Sequence, residues 1–238
     1  MTSASATPAA VFWDMDGTIV DSEHHWMAAA ADLVRAHAGP PPAERLDALV
    51  GLAIPDGAAL LRKLGVDLPV DEIVRRQIAG VLARMAAEPP RWRPGARELL
   101  AAVRAAGIPQ ALVTMSYRAT ADPVIAALPV GTFDAVVTGD DVARGKPFPD
   151  AYLRAATLLG VAPGRTVALE DSPTGLAAVR AAGIAVVGIP HHLPLDAELA
   201  DAIWPTLVGR GAGDLSLPLR RPTPAQPIVG IEASRRRV

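Results

Sequence analysis

The stretch "VFWDMDGTIVDSEHHW" (residues 11–26) places two carboxylates at the end of an apolar run. Such a run is typical of a strand in a parallel sheet that is covered on both faces. Side chains two residues apart in a strand point the same way, so Asp14 and Asp16 are expected to converge while the residue between them points elsewhere. Because an unpartnered buried carboxylate is costly, a positive charge is expected beside them. The following Gly17 and Thr18 predict a tight turn whose backbone N–H groups could face an anion.

The composition is that of a globular protein with a weak net charge. The chain has 238 residues, of which 50% are hydrophobic and 20% charged, which excludes a disordered chain and allows one large or two modest domains. The formal net charge is -2, and residues 214–238 hold five arginines against two acids, so the remainder is more acidic still. Nucleic acid is therefore not expected as a partner.

Several kinds of site and location are excluded by what the sequence lacks. The absence of cysteine excludes disulfides, a thiolate nucleophile and a cysteine-ligated metal. The first ten residues lack the basic and apolar regions of a signal peptide, and no run of about 18 apolar residues occurs. We therefore expect a cytoplasmic protein without membrane contacts, a monomer or weak homodimer, with a flexible Pro/Arg-rich tail over 214–238.

Strands and helices are predicted to alternate along most of the chain. Short β-branched runs predict strands over 9–13, 110–114, 134–139, 166–170 and 185–189, with a less secure one over 202–208 that contains Pro205. Helical periodicity occupies 95–107, 118–128, 150–160 and 174–183. This alternation predicts an α/β fold with a doubly wound, Rossmann-like parallel sheet.

One interval interrupts the alternation. Residues 23–88 show helical periodicity without a convincing strand, with helices predicted over 24–39, 43–51, 55–65 and 70–88. The segments "DSE" and "PPRWRPG" are interpreted as linkers on either side. The predicted organisation is a catalytic core of 1–21 and 91–213 with a helical cap of 22–90 inserted into it.

The predicted strand ends carry a set of polar residues, and ligands of open parallel sheets bind beyond those ends. In chain order the polar residues are Asp14, Asp16, Thr114, Ser116, Lys146, Glu170 and Asp171. Lysine is rare here, since Lys63 and Lys146 stand against 21 arginines. A lysine at a strand end in such a chain indicates a requirement for a compact point charge.

Four ordered segments resemble the motifs of the haloacid dehalogenase superfamily. They are "DMDGT", the threonine that ends the next core strand, "GKPFPD" and "LEDSPTG", and the helical insertion after the first is similar to the small cap of that superfamily. The resemblance implies phosphoryl transfer with an aspartate nucleophile and magnesium. True dehalogenases of the superfamily lack the second aspartate of the first motif, which this chain has as Asp16.

The chemistry of the residues supports the same assignment. A carboxylate can attack phosphorus to form an aspartyl-phosphate, the role predicted for Asp14, and Asp16 can act as the acid and base. Thr114 is expected to hydrogen-bond a phosphoryl oxygen, and Lys146 to offset negative charge in the transition state. The other residues predicted to bind phosphate are Gly17, Thr18, Met115 and Ser116.

A cation is also expected, because neighbouring carboxylates repel each other and the phosphate. An all-oxygen site with a phosphate ligand suits Mg²⁺. The resemblance implies that Asp14, the backbone carbonyl of Asp16 and Asp171 bind the ion, with Glu170 reaching it through water. It further implies a cis peptide bond between Lys146 and Pro147.

The leading hypothesis is a Mg²⁺-dependent phosphatase acting on a small phosphorylated metabolite, a sugar phosphate or a phosphoglycolate-like compound. The alternative is a sugar-phosphate mutase of the β-phosphoglucomutase type. Trp26 stands where such a mutase has a cap histidine, and the loop "VGLAIPDGA" has no arginine, which favours hydrolysis. A receiver-like module or a non-catalytic phosphate-binding protein fits the length, the insertion and the intact motifs less well.

The histidines leave further alternatives open. Adjacent helix residues diverge, so His24 and His25 are not expected to share one metal ion, although either could face a substrate. His191 and His192 follow the fifth predicted strand and are expected in a solvated loop or at the rim of the site.

Overall fold

The computed structural model describes residues 7–40, 46, 48–49, 52–88 and 91–216. Its strands are β1 (Ala10–Trp13), β2 (Val20–Asp21), β3 (Arg91–Trp92), β4 (Gln110–Val113), β5 (Ala135–Val137), β6 (Thr166–Glu170), β7 (Ala185–Gly188) and β8 (Ala202–Ile203). The helices with bounds inside those ranges are α1 (Glu23–Ala38), α2 (Ile54–Lys63), α3 (Val70–Ala87), α4 (Ala96–Ala105), α5 (Arg118–Ala126), α6 (Asp150–Leu159) and α7 (Pro173–Ala181). None of the helices so described is both long and apolar enough to cross a membrane.

A parallel sheet of six strands in the order β5-β4-β1-β6-β7-β8 forms the core. The first strand lies in the middle, and the chain adds β4 and β5 on one side and then β6, β7 and β8 on the other. This reversal beside β1 is the topological switch point at which ligands of such sheets bind.

Both faces of the sheet are covered by helices, as the continuous apolar strands predict. Val11 and Trp13 of β1 pack on the face that carries α4 and α5, whereas Ala10 and Phe12 pack on the face that carries α6 and α7. The alternation follows from the two-residue period of a strand. The predicted doubly wound α/β fold is therefore confirmed.

The inserted helices α1, α2 and α3 lie between β2 and β3 and have an apolar core of their own. That core includes Val34 of α1, Leu61 of α2 and Ile73 of α3. The helix predicted over 43–51 lies largely outside the described residues. Most of the predicted tail of 214–238 lies outside them as well, from residue 217 onward, while Leu215 in its described part is fully buried.

The two predicted linkers contain a feature that the sequence analysis missed. Val20 pairs with Trp92 and Asp21 with Arg91, so the chain segments entering and leaving the cap form a two-stranded antiparallel ribbon. Two-residue strands are too short to show the alternation of apolar and polar residues that indicates a strand, so the sequence pattern did not predict them. The predicted strand over 202–208 is likewise only two residues long and ends before Pro205.

Gly95 is a position where the backbone of the core leaves no room for a side chain. Its φ is 86°, and a Cβ there would lie 2.3 Å from the backbone carbon of Leu207. Gly107 has a similar φ of 69° but no atom within 4 Å of its hypothetical Cβ. Both glycines have a left-handed backbone conformation, but a side chain would clash at Gly95 and not at Gly107. Comparing substitutions at the two positions therefore separates the energetic cost of the backbone conformation from that of the clash.

Gly95→Ala is expected to lower the free energy of unfolding by about 2–4 kcal/mol, because it adds overpacking to an unfavourable backbone conformation. Gly107→Ala is the matched control and should cost only about 1 kcal/mol. Urea unfolding followed by circular dichroism measures both. Equal losses in the two variants would contradict the predicted clash.

Candidate active site

The end of β1 directs two carboxylates into one cavity. The Asp14 N–H donates to the Leu169 carbonyl at 3.1 Å, so the strand geometry continues one residue past β1. Asp14 and Asp16 both line the cavity, while Met15 between them is 1% exposed and packs in the core. This placement is the one that strand alternation predicts.

The cavity lies between the strand ends and the cap and has a volume of about 150 Å³. Eight of the ten residues predicted for the site line it, namely Asp14, Asp16, Gly17, Thr114, Met115, Ser116, Lys146 and Asp171. Thr18 and Glu170 do not. Thr18 is fully buried, and its hydroxyl has no hydrogen-bond partner within the described residues.

Lys146 lies between two buried carboxylates. Its Nζ is 2.6 Å from Asp14 Oδ1 and 2.6 Å from Glu170 Oε1, and it also donates to the Val113 carbonyl at 3.1 Å. Burial alone would lower the pKa of Lys146, but the two carboxylates raise it above its usual value. The lysine therefore stays charged and is the positive partner that Asp14 was expected to need. The peptide bond between Lys146 and Pro147 is cis, as the resemblance implied.

Tyr152 completes the surroundings of this lysine and was not anticipated from the sequence. Its hydroxyl donates to Glu170 Oε1, and its ring lies 5.3 Å from Lys146 Nζ. Burial raises the pKa of Tyr152, so the hydroxyl keeps the proton that it donates. From the sequence alone, Tyr152 is expected only to be a core residue on the buried face of α6. Its contact with Glu170 arises from the tertiary fold and leaves no signal in the local sequence.

Asp16 is held by hydroxyl groups from two parts of the chain. Oδ2 accepts hydrogen bonds from Ser116 at 2.7 Å and from Thr114 at 3.3 Å. Oδ1 accepts one from Ser22, which lies between β2 and α1. Ser22 was missed by the sequence analysis, which treated it as part of a linker. Three hydroxyls thus fix the orientation of the Asp16 carboxyl group.

Asp171 faces the turn after β1. A Cβ on Gly17 would lie 1.9 Å from Asp171 Oδ2, and the φ of Gly17 is 82°, so both the turn and the carboxylate require glycine there. Burial, together with the charges of Asp14 and Glu170, raises the pKa of Asp171 well above its usual value. Burial likewise raises the pKa of Asp14 to about 7, against the opposing effect of Lys146.

The donor set fits a hard divalent cation. Oxygens of Asp14, Glu170 and Asp171 lie within 4.8 Å of one another, and Asp16 adds a fourth carboxylate to the site. One lysine cannot neutralise four carboxylates, which is why burial and mutual repulsion raise the pKa of two of them. Oxygen-only donors of this kind are those that Mg²⁺ prefers.

The cap supplies the other wall of the cavity. Its lining is mainly apolar and comprises Trp26, Met27, Leu49, Leu52, Ala53, Ile54 and Gly57. Glu23 and Gln77 are the polar cap residues in the described lining, and neither was predicted for the site. Burial, with the charges of Asp16 and Asp21, raises the pKa of Glu23 to about 7. Nothing in the sequence distinguishes these two residues, since helix surfaces are commonly polar.

The expectation that His24 and His25 cannot approach one ion is wrong in its geometry. Their ring centroids are 3.9 Å apart, and ring nitrogens of both lie within 4.8 Å of a Glu88 carboxylate oxygen. The two imidazole rings lie close together although the Cβ atoms of adjacent helix residues point in different directions. Neither ring lines the cavity described above.

His191 and His192 lie beside the ribbon formed by β2 and β3. Their Nε2 atoms are 3.4 Å and 3.5 Å from Asp21 Oδ1, and the guanidinium of Arg93 contacts His191 Nδ1. His192 lines the cavity and therefore lies at the rim of the site. His191 instead links the core loop to Asp21 and Arg93.

A family model described as haloacid dehalogenase-like hydrolase matches residues 8–183. The chain belongs to this family. Validoxylamine A 7'-phosphate phosphatase of Streptomyces hygroscopicus subsp. limoneus is 32% identical over 203 residues, which are 81% of this chain and 95% of that protein. A phosphoglycolate phosphatase of Pseudomonas putida is 32% identical over 206 residues, 80% of this chain and 74% of that protein.

Solved structures of the family share the fold. The crystal structure of CbbY from Rhodobacter sphaeroides in complex with xylulose-(1,5)bisphosphate has a TM-score of 0.80 and 28% identity, covering 88% of this chain and all of that one. The chain is accordingly a haloacid dehalogenase-like hydrolase, and the proteins it resembles include phosphatases of phosphorylated small metabolites. Its relatives are named for different phosphorylated compounds, so their likeness leaves the substrate open.

Lys146→Arg is expected to destabilise the fold by about 1–3 kcal/mol, because a planar guanidinium cannot replace a compact ammonium between two carboxylates in a closed site. The phosphatase kcat/KM should fall by about 100-fold, because the charge that stabilises the transition state is displaced. Lys63→Arg, at the exposed end of α2, is the control and should change neither quantity. The stability is measured by urea unfolding and kcat/KM by a phosphatase assay. Equal stability and equal kcat/KM in the two variants would contradict the placement of Lys146.

Proposed function

We propose that the protein is a Mg²⁺-dependent phosphatase that hydrolyses a small phosphorylated metabolite through an aspartyl-phosphate on Asp14. The observation that carries this proposal is the pairing of Asp14 with Lys146 at 2.6 Å in a cavity that also holds Asp16. A nucleophile, a cation beside it and an acid/base on the same face are the groups that the reaction needs.

Asp14 is the nucleophile in this proposal. Its Oδ1 accepts a hydrogen bond from Lys146, and no described group donates to Oδ2, which leaves Oδ2 available for attack on phosphorus. Attack forms the bond between phosphorus and the Asp14 oxygen and breaks the bond between phosphorus and the leaving oxygen. Lys146 offsets the negative charge that accumulates on the phosphoryl oxygens and on Asp14.

Asp16 moves the protons. In its acid form it gives a proton to the leaving oxygen, and the resulting carboxylate then takes a proton from the water that attacks the phosphoenzyme. The hydrolysis releases inorganic phosphate and regenerates Asp14 as a carboxylate. The hydroxyls of Ser22, Thr114 and Ser116 support this role because they fix the carboxyl group in one orientation.

Asp14, Asp171 and the backbone carbonyl of Asp16 would hold the metal ion. When bound, Mg²⁺ supplies positive charge to the carboxylates and to the phosphoryl oxygens. Glu170 Oε1 is already engaged by Lys146 and Tyr152, so its contacts favour a role in positioning the lysine over direct contact with the metal.

Hydrolysis is favoured over mutase chemistry by the lining of the cap. Trp26 lines the cavity at the position where a mutase would place a histidine. Among the described lining residues Lys146 is the sole Lys or Arg, and it already serves the phosphoryl group that reacts. A bisphosphate intermediate would find no described cation for its second phosphate, so water should compete effectively for the phosphoenzyme.

Hydrolysis of p-nitrophenyl phosphate tests the nucleophile and the metal together. We expect turnover with Mg²⁺, none with excess EDTA, and recovery when Mg²⁺ is restored. Asp14→Asn should abolish turnover while circular dichroism shows a folded protein, whereas Asp67→Asn, an exposed control on the cap, should retain full activity. Turnover by the Asp14 variant, or in EDTA, would refute the proposed chemistry.

Product analysis separates the phosphatase from the mutase. After incubation with β-glucose 1-phosphate, Mg²⁺ and a trace of the corresponding bisphosphate, any turnover should yield inorganic phosphate, because the phosphoenzyme reacts with water. Faster formation of glucose 6-phosphate than of inorganic phosphate would favour the mutase instead. Chromatographic quantification of both products over time provides the measurement.

A further inference from the structure

We propose that Glu23 and Gln77 form a leaving-group subsite in the cap, and that it takes an uncharged, hydroxyl-rich leaving group such as that of a sugar or cyclitol phosphate. This inference rests on the proposed phosphatase function and narrows its substrate class. It separates the two substrate classes that the sequence left open, sugar phosphates and phosphoglycolate-like compounds.

The amide oxygen of Gln77 is buried and lacks a hydrogen-bond partner among the described residues. It lies on α3, is 6% exposed and lines the cavity, and its Oε1 accepts no hydrogen bond from any described residue. Burying an amide oxygen without a donor costs stability, so such groups are rare unless a ligand or water satisfies them. The orientation of Gln77 is therefore explained by a ligand that donates a hydrogen bond.

Glu23 adds an acidic group to the cap side of the cavity. It occupies the first turn of α1, is partly buried and lines the cavity, with Asp16 and Asp21 near enough to influence its ionisation. A carboxyl group there can accept hydrogen bonds from hydroxyl groups. A carboxylate or second phosphate on the leaving group would be disfavoured instead, since Lys146 is the sole Lys or Arg of the described lining.

The rest of the cap lining is suited to the carbon skeleton of a ring. The indole of Trp26 and the side chains of Met27, Leu49 and Ile54 provide apolar surface next to the two polar groups. Binding sites of this kind combine apolar walls with a few polar groups that fix orientation. The C–H face of a sugar or cyclitol can pack on such walls while its hydroxyls reach Gln77 and Glu23.

The first experiment compares substrates of the wild-type enzyme with Mg²⁺. The panel consists of hexose, hexitol and cyclitol monophosphates, phosphoglycolate, and p-nitrophenyl phosphate as a generic ester. We expect kcat/KM for the best polyhydroxylated substrate to exceed that for phosphoglycolate by at least about tenfold, one hydrogen-bonded group being worth that factor. Phosphoglycolate as the better substrate would overturn the inference.

The second experiment replaces Gln77 by residues of similar size. Gln77→Leu should lower kcat/KM for the best polyhydroxylated substrate by about tenfold relative to p-nitrophenyl phosphate, because the acceptor is lost. Gln77→Glu keeps an acceptor oxygen and should retain more of that preference. Gln77→Leu should also raise the Tm by about 2–4 °C, because it removes an unsatisfied buried amide. If Gln77 had only a packing role, the Gln77→Leu variant would keep the substrate preference of the wild type.

The third experiment tests the charge of the subsite. At a pH above the raised pKa of Glu23, which is about 7, the Glu23 carboxyl group is mostly ionised. Under that condition Glu23→Gln should raise kcat/KM for phosphoglycolate relative to the best polyhydroxylated substrate by about threefold or more, because a repulsive carboxylate is removed. Glu98→Gln, on the exposed face of α4, is the control and should leave the ratio unchanged. Equal ratios in the two variants would contradict the role of Glu23.

The outcomes distinguish failure of the inference from failure of the proposed function. If the wild type hydrolyses no ester of the panel, including p-nitrophenyl phosphate, the phosphatase proposal itself is wrong. If it hydrolyses p-nitrophenyl phosphate but Gln77→Leu changes all substrates by the same factor, the enzyme is a phosphatase and the leaving-group subsite is refuted.

Discussion

The structure of the site depends on one ammonium group held among buried carboxylates. Lys146 Nζ lies 2.6 Å from both Asp14 and Glu170, and all three side chains are nearly inaccessible to solvent. Charges buried in this way are tolerable only when each is paired and hydrogen-bonded. The end of β1, the end of β6 and the loop before α6 must therefore meet at one point, with Tyr152 of α6 supplying a further hydrogen bond. The oxygens of Asp14 and Asp171 that Lys146 does not contact are those proposed to bind the metal ion.

The two ends of the cavity differ in composition, with charged side chains from the core at one end and mainly apolar side chains from the cap at the other. At the core end, charged groups lie at strand termini, where the sheet holds their positions and the φ of Gly17 lets Asp171 approach the turn. At the cap end, the described lining is mainly apolar and carries two polar side chains from separate helices, Glu23 and Gln77. Residues on helices of a small inserted domain can change without disturbing the sheet. The division explains how relatives with the same phosphate chemistry can be named for compounds as different as validoxylamine A 7'-phosphate and phosphoglycolate.

Much of the core could be predicted because its signals are local. The apolar run over 166–170 coincides with β6, and the two-residue spacing of Asp14 and Asp16 was enough to place both in one cavity. The misses share a physical cause, since each depends on contacts between distant segments. Residues 20–21 pair with 91–92 only because the chain leaves the cap beside the point where it enters it. Gln77 becomes functionally interesting only because its amide oxygen has no hydrogen-bond partner in the described part of the chain. The expectation for His24 and His25 failed because it considered backbone directions and not the reach of the side chains.

The hydrogen bond from Ser22 to Asp16 has a consequence for how the cap and the core are joined. Ser22 lies where the chain passes from the β2–β3 ribbon into α1, whereas Asp16 follows the first strand of the core. One of the three hydroxyl groups that orient the Asp16 carboxyl therefore comes from the start of the cap. The orientation of a core carboxylate is in this way tied to the position of the first cap helix.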